Sequence, residues 1–150
     1  MDASVTQDGK ATWGCIFRDE KAKVVHICAE SGNGLTPLKA EARAMGLARK
    51  EATKIGLDFI LLESDSLIVT DSVSGAGRCP WEIDMMISEI RAMVQFFKGV
   101  QIRHICREAN GTADKIAKLR QQLPTDGIKH HNELRALVHS DAIGCGFTCG

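Results

Sequence analysis

The stretch Phe59-Ile60-Leu61-Leu62-Glu63-Ser64-Asp65-Ser66 decides the fold. Four consecutive apolar residues are the pattern of a strand buried on both faces, and an acid placed directly after such a strand sits where a helix begins. Ser66 to Val73 reads as that helix, with Ser74-Gly75-Ala76-Gly77 as its exit. Upstream, Thr36 is a helix N-cap followed by Pro37 in the first turn, and Leu38, Met45, Ala48, Ala52 and Ile55 recur at helical spacing until Gly56, so residues 37–55 form a helix. Downstream, Ile83, Met86, Ile87, Ile90, Val94 and Phe97 mark a helical face within 81–98, and Val100-Gln101-Ile102-Arg103-His104-Ile105-Cys106 is a strand by length and composition.

Further out, residues 12–17 and 22–30 are apolar, β-branched runs separated by Arg18-Asp19-Glu20-Lys21, the pattern of an antiparallel hairpin, and residues 2–6 supply a short strand before it. A last helix over about 111–122 carries Ala113, Ile116, Ala117 and Leu119 and stops before Pro124. The predicted order is β-β-β-α-β-α-α-β-α, an α/β fold with a mixed sheet and helices on its faces. Residues 1–123 form one domain, and 124–150 read as a flexible tail, in which His130, His131, Cys145 and Cys149 match no common zinc spacing.

At 150 residues, with 19 basic against 19 acidic side chains, the composition excludes a basic nucleic-acid tail and an acidic disordered segment. The charge is unevenly spread, since residues 61–99 hold three basic and six acidic groups. No run approaches the roughly 18–20 apolar residues of a membrane span, and the start of the chain lacks a secretory pattern, so an intracellular protein without a membrane partner is expected. Six cysteines, three of them inside apolar strand runs, are expected to be reduced.

In sheets of this class chemistry gathers where strand ends meet helix starts. Four acids occupy such positions: Asp2 in the first strand, Glu41 in the first helix, Asp65 after the apolar strand, and Asp114 in the opening turn of the last helix. Glu41 and Asp114 are also explicable as ordinary acids near helix N-termini. Asp65 is not required as an N-cap, because Ser64 or Ser66 would serve equally. Hard divalent cations prefer oxygen ligands, and convergent carboxylates without a cation repel one another, so such a cluster points to metal binding.

The segments Ala40-Glu41-Ala42-Arg43-Ala44, Glu63-Ser64-Asp65-Ser66, Arg107-Glu108-Ala109-Asn110 and Ala113-Asp114, in that order, resemble the ribonuclease H-like domains common in plant genomes, which occur alone or at the end of retroelement polymerases. The resemblance spans about residues 2–122. It implies a five-stranded mixed sheet with helices on both faces, and hydrolase activity: endonucleolytic cutting of the RNA strand of an RNA–DNA hybrid. It also implies two Mg²⁺ ions, with Mn²⁺ as substitute, of which Asp2 would bridge both, Glu41 and Asp65 complete one, and Asp114 the other. Two ions about 3.5–4 Å apart stabilise the attacking and leaving oxygens of an in-line phosphodiester displacement. Water is then the nucleophile, and the products end in a 5′-phosphate and a 3′-hydroxyl.

The same resemblance makes Ser4, Asn33 and Ser66 candidate contacts to the RNA 2′-hydroxyls and Arg107 a phosphate contact. Asn110 is a candidate both for capping the last helix and for a ribose contact. A monomer is expected, with the hybrid as partner. A second reading stays open: a retroelement-derived domain that keeps the fold as a protein- or nucleic-acid-interaction module with little or no catalysis. Residues 75–89, where some ribonucleases H carry a basic protrusion, hold only Arg78 against Glu82, Asp84 and Glu89. Hybrid affinity is therefore expected to be weaker than nanomolar at physiological salt and to fall steeply with added salt, which fluorescence anisotropy of a labelled hybrid will measure.

Overall fold

A computed structural model describes residues 1–107 and Gly111. Its elements are β1 (Asp2–Val5), β2 (Lys10–Arg18), β3 (Val24–Asn33), α1 (Pro37–Lys54), β4 (Phe59–Ser64), α2 (Leu67–Ser74), α3 (Asp84–Val94) and β5 (Gly99–His104). This is the expected order up to the last helix, which lies outside the described residues, as do the tail and its His130, His131, Cys145 and Cys149.

The strands form an antiparallel triplet, β1-β2-β3, and a parallel pair, β4-β5. In the triplet Asp2 faces Gly14 and Val5 faces Ala11, while Trp13 faces Glu30 and Cys15 faces Cys28. In the pair Phe59 faces Gly99 and Ser64 faces His104. The Met1 ammonium donates to the Glu63 carbonyl oxygen at 3.0 Å, which sets the head of β1 beside the end of β4.

Helix α1 starts as the sequence requires. The Thr36 hydroxyl accepts the Lys39 N–H at 3.2 Å and donates to Glu82 Oε2 at 3.2 Å, and Pro37 occupies the first turn. Its buried side is mostly alanine, Ala40, Ala44, Ala48 and Ala52 with Met45 and Leu47, and small residues let the helix lie close to the strands beneath it. Ala11, Trp13 and Cys15 of β2, Leu62 of β4, Val69 and Val73 of α2, and Ile83, Ile87 and Ile90 complete one core. None of the described helices is long and apolar enough to cross a membrane.

Four expectations need correction. Strand β4 is buried on one face only: Leu62 is 3% exposed, whereas Phe59 and Leu61 are 70% and 47% exposed, because the core packed on α1 covers just the Ile60–Leu62 side among the described residues. Cys15 and Cys28 are not free thiols but a cross-strand disulfide, since the β2–β3 register places their Cα atoms 5.4 Å apart. Cys79 and Cys106 are free. The third helix is shorter than residues 81–98, because Trp81–Ile83 form a turn closed by Ile83 N–H to Pro80 O, and the chain leaves the helix at Gln95 so that Lys98 N–H can reach Asp58 O. From the sequence, Trp13 and Trp81 read as core or helix-start packing rather than base-stacking platforms; Trp13 is buried, but Trp81 is 88% exposed.

Removing the cap and cutting the core separate by magnitude. Thr36→Ala is expected to cost about 1 kcal/mol of stability. Met45→Ala, at a fully buried position, is expected to cost about 2–5 kcal/mol, both read from urea unfolding midpoints.

Candidate functional site

Three elements deliver one carboxylate each. Asp2 opens β1, Glu41 lies just beyond the first turn of α1, and Asp65 follows β4 directly. The close approach of α1 to β1 brings Glu41 to Asp2, and the pairing of the β1 head with the end of β4 brings Asp65 to both. One oxygen from each of the three lies within 4.8 Å of the other two. Asp114, the fourth expected acid, lies outside the described residues, as does Asn110.

The local supports are visible for each. Asp2 is 2% exposed and accepts the Ala3 N–H through Oδ1 at 2.8 Å. Asp65 is held through its backbone: the His104 ring lies 3.2 Å from its carbonyl oxygen, and Ile105 N–H donates to Ser64 O next to it. Ser66, not Asp65, takes the N-cap position of α2, with Thr70 hydrogen-bonded back to its carbonyl. Asp65 is thereby left to face the cluster, with the Arg107 guanidinium 3.9 Å from Oδ2.

The electrostatics are strained. Burial, then the charges of Asp2 and Asp65, push the Glu41 carboxyl up to about 8, only partly offset by the Ala3 amide. Glu41 Oε2 is shielded from solvent and has no hydrogen-bond partner among the described residues. Buried polar atoms are normally satisfied, so an orphaned carboxylate oxygen beside two further carboxylates fits a cation. An all-oxygen donor set selects a hard one, such as Mg²⁺ or Mn²⁺.

The remaining sequence candidates scatter around this centre. Ser66 adjoins Asp65, and Ser4 lies two residues along β1 from Asp2 with its carbonyl accepting from Thr12. Arg107 reaches Asp65. Asn33 is exposed at the end of β3, opposite Lys10. Sequence reasoning assigned Trp81 to packing rather than base stacking, yet it is an exposed aromatic that the Thr36–Glu82 hydrogen bond keeps near the start of α1. The signal available was its position after Pro80, where a turn precedes a helix.

Residues 1–120 match the family model described as reverse transcriptase-like. The chain belongs to the reverse transcriptase-like family. Its ribonuclease H-like fold is shared with ribonuclease H1 of the halophilic archaeon Halobacterium salinarum, with a TM-score of 0.74 and 24% identity over 78% of this chain and 90% of that one. The N-terminal ribonuclease H domain of a Mycobacterium tuberculosis protein, solved as a fusion with maltose-binding protein, superposes with a TM-score of 0.73 at 18% identity, covering 93% and 94% of the two chains. LC11 ribonuclease H1, a metagenomic protein from compost, was solved in complex with an RNA/DNA hybrid; it gives a TM-score of 0.72 at 18% identity over 79% and 91%. No curated protein sequence matches the chain.

The raised Glu41 pKa has a definite pH sign. Between the ordinary carboxylate value and about 8, the unfolded chain ionises this group while this ribonuclease H-like domain keeps it protonated, so metal-free stability falls as pH rises across that window. Glu41→Gln is expected to flatten this slope and to raise the metal-free melting temperature at pH 8. Saturating Mg²⁺ is expected to stabilise the wild-type chain most at the alkaline end. Thermal melts at pH 5 to 9, with and without Mg²⁺, check all three outcomes.

Proposed function

We propose that the chain is a divalent-metal-dependent endonuclease that hydrolyses the RNA strand of RNA–DNA hybrids. The observation that carries this reading is the convergence of Asp2, Glu41 and Asp65, from three separate elements, onto a space of cation size. The hybrid bound by LC11 ribonuclease H1, a protein of the same fold, supports the choice of substrate.

Asp2, Glu41 and Asp65 would hold Mg²⁺ through carboxylate oxygens, and Asp114, which lies outside the described residues, would complete the donor set. Bound Mg²⁺ supplies Lewis-acid stabilisation to the oxygens of the phosphodiester displacement. The chain's own groups do the rest. Asp2 is buried and tied to the Ala3 amide, so its carboxylate is pre-positioned and loses little freedom on binding. Glu41 would release its proton to solvent as a cation binds, because the cation offsets the burial and the Asp2 and Asp65 charges that raise its pKa. Ser4 and Ser66 offer hydroxyls beside the cluster for the ribose 2′-hydroxyls, by which RNA is told from DNA. Arg107, exposed and close to Asp65, contacts a phosphate, and Trp81 offers a face for stacking against a base or sugar. A plant-type, retroelement-derived origin and a monomeric intracellular enzyme complete the proposal.

Asp65→Asn is expected to lower Mg²⁺-dependent cleavage of a labelled hybrid by at least about a hundredfold, on the scale of losing one electrostatic stabiliser of the reaction. The far-ultraviolet circular dichroism should be unchanged. Mn²⁺ binding, followed by water proton relaxation, should weaken in the same variant. Undiminished cutting would sink the proposal, and absence of any Mn²⁺ binding by the wild-type chain would favour the interaction-module reading.

A further inference from the structure

Of the three clustered carboxylates, Asp2 lies in β1 and Glu41 in α1, where regular hydrogen bonding fixes the backbone that carries them. Asp65 lies in neither kind of element, because β4 ends at Ser64 and α2 begins at Leu67. Its place is set by bonds that the strand and the helix do not supply. The register of β4 with β5 stops at Ser64 opposite His104, so Asp65 is the first residue past the ladder.

Three hydrogen bonds surround its peptide units. Ser64 O accepts the Ile105 N–H at 3.0 Å, the hydroxyl oxygen of the fully buried Ser64 accepts the Ser66 N–H at 3.2 Å, and His104 Nε2 lies 3.2 Å from Asp65 O. A carbonyl oxygen only accepts, so Nε2 carries the hydrogen and donates it. Two of the three bonds come from the end of β5, and that of His104 is made to Asp65 itself. The His104 ring is exposed, so this bond is no by-product of core packing. One step earlier the strand pair is already tied by Arg103 Nε on Glu63 Oε1 at 3.0 Å, which secures the ladder without His104. The consequence is geometric. Rotating the Asp65 peptide swings its carboxylate, and the cluster holds only while one oxygen from each acid stays within 4.8 Å of the other two. Groups that orient a metal ligand without touching the metal change its affinity by about 10–100-fold when removed.

We propose that His104 is a positioning residue of the metal centre, gripping the Asp65 backbone by its carbonyl so that the carboxylate is presented to the cation. This rests on the divalent-metal reading given above. The test compares, in the whole chain, His104→Phe, which keeps a ring and loses the donor, with His104→Gln, whose amide nitrogen stands in for Nε2. Mn²⁺ binding, read from water proton relaxation, is expected to weaken about tenfold or more in His104→Phe and to be restored in His104→Gln. Cleavage of the labelled hybrid by His104→Phe is expected to recover as Mg²⁺ is raised, with the KM for hybrid unchanged. The metal-free melting temperature is expected to match that of the wild-type chain. Undiminished Mn²⁺ affinity in His104→Phe overturns the proposal, and so does an affinity lost equally in both variants or lost together with the melting temperature. Absence of Mn²⁺ binding by the wild-type chain overturns the metal-centre reading itself, and the role of His104 with it.

Discussion

The structure depends on the close seat of α1 against the first two strands. Ala40, Ala44 and Ala48 put almost nothing between the helix backbone and the sheet, and Ala42 is buried as well. Distance here is chemistry, because Glu41 is carried on the same helix and meets Asp2 only if the helix stays low. A larger side chain at Ala44 would be accommodated by lifting the helix, at a cost typical of overpacked cores. It would also separate the carboxylates, so the alanine face sets both the core and the site.

The fold and the site pull in opposite directions. Burial and hydrogen bonds place Asp2 and Asp65 rigidly, yet the same burial makes a third acid beside them unfavourable as an anion. The stability that the core supplies is partly spent on holding this cluster together. Such local conflict is tolerated where the missing counter-charge arrives from outside, and strained positions of this sort concentrate at functional sites.

Much of this was legible in the sequence, for local reasons. The Thr36-Pro37 start of α1, the hairpin of β2 and β3, and the order of strands and helices follow from periodicity and caps, which neighbouring residues determine. What was not legible depends on partners far along the chain. The run Phe59-Ile60-Leu61-Leu62 looks the same whether one face or two is covered. The Cys15–Cys28 bond depends on a register that composition does not encode, and Trp81 is exposed because α3 begins three residues after it. At the site, position after a strand or in a helix start singled out Asp2, Glu41 and Asp65. Their assembly required the contact of α1 with β1 and the meeting of β1 with β4, neither of which is a local property.

The two tryptophans sit in opposite surroundings. Trp13 is 6% exposed within the core, and Trp81 is 88% exposed at the entry to α3. With no tyrosine in the chain, intrinsic emission comes from these two indoles alone. The protein thus contains two separable optical channels. A quencher dissolved in water silences Trp81 and leaves a blue-shifted signal from Trp13 that reports the integrity of the core, while the quenchable fraction reports whatever comes to lie against the outer surface of the α3 entry.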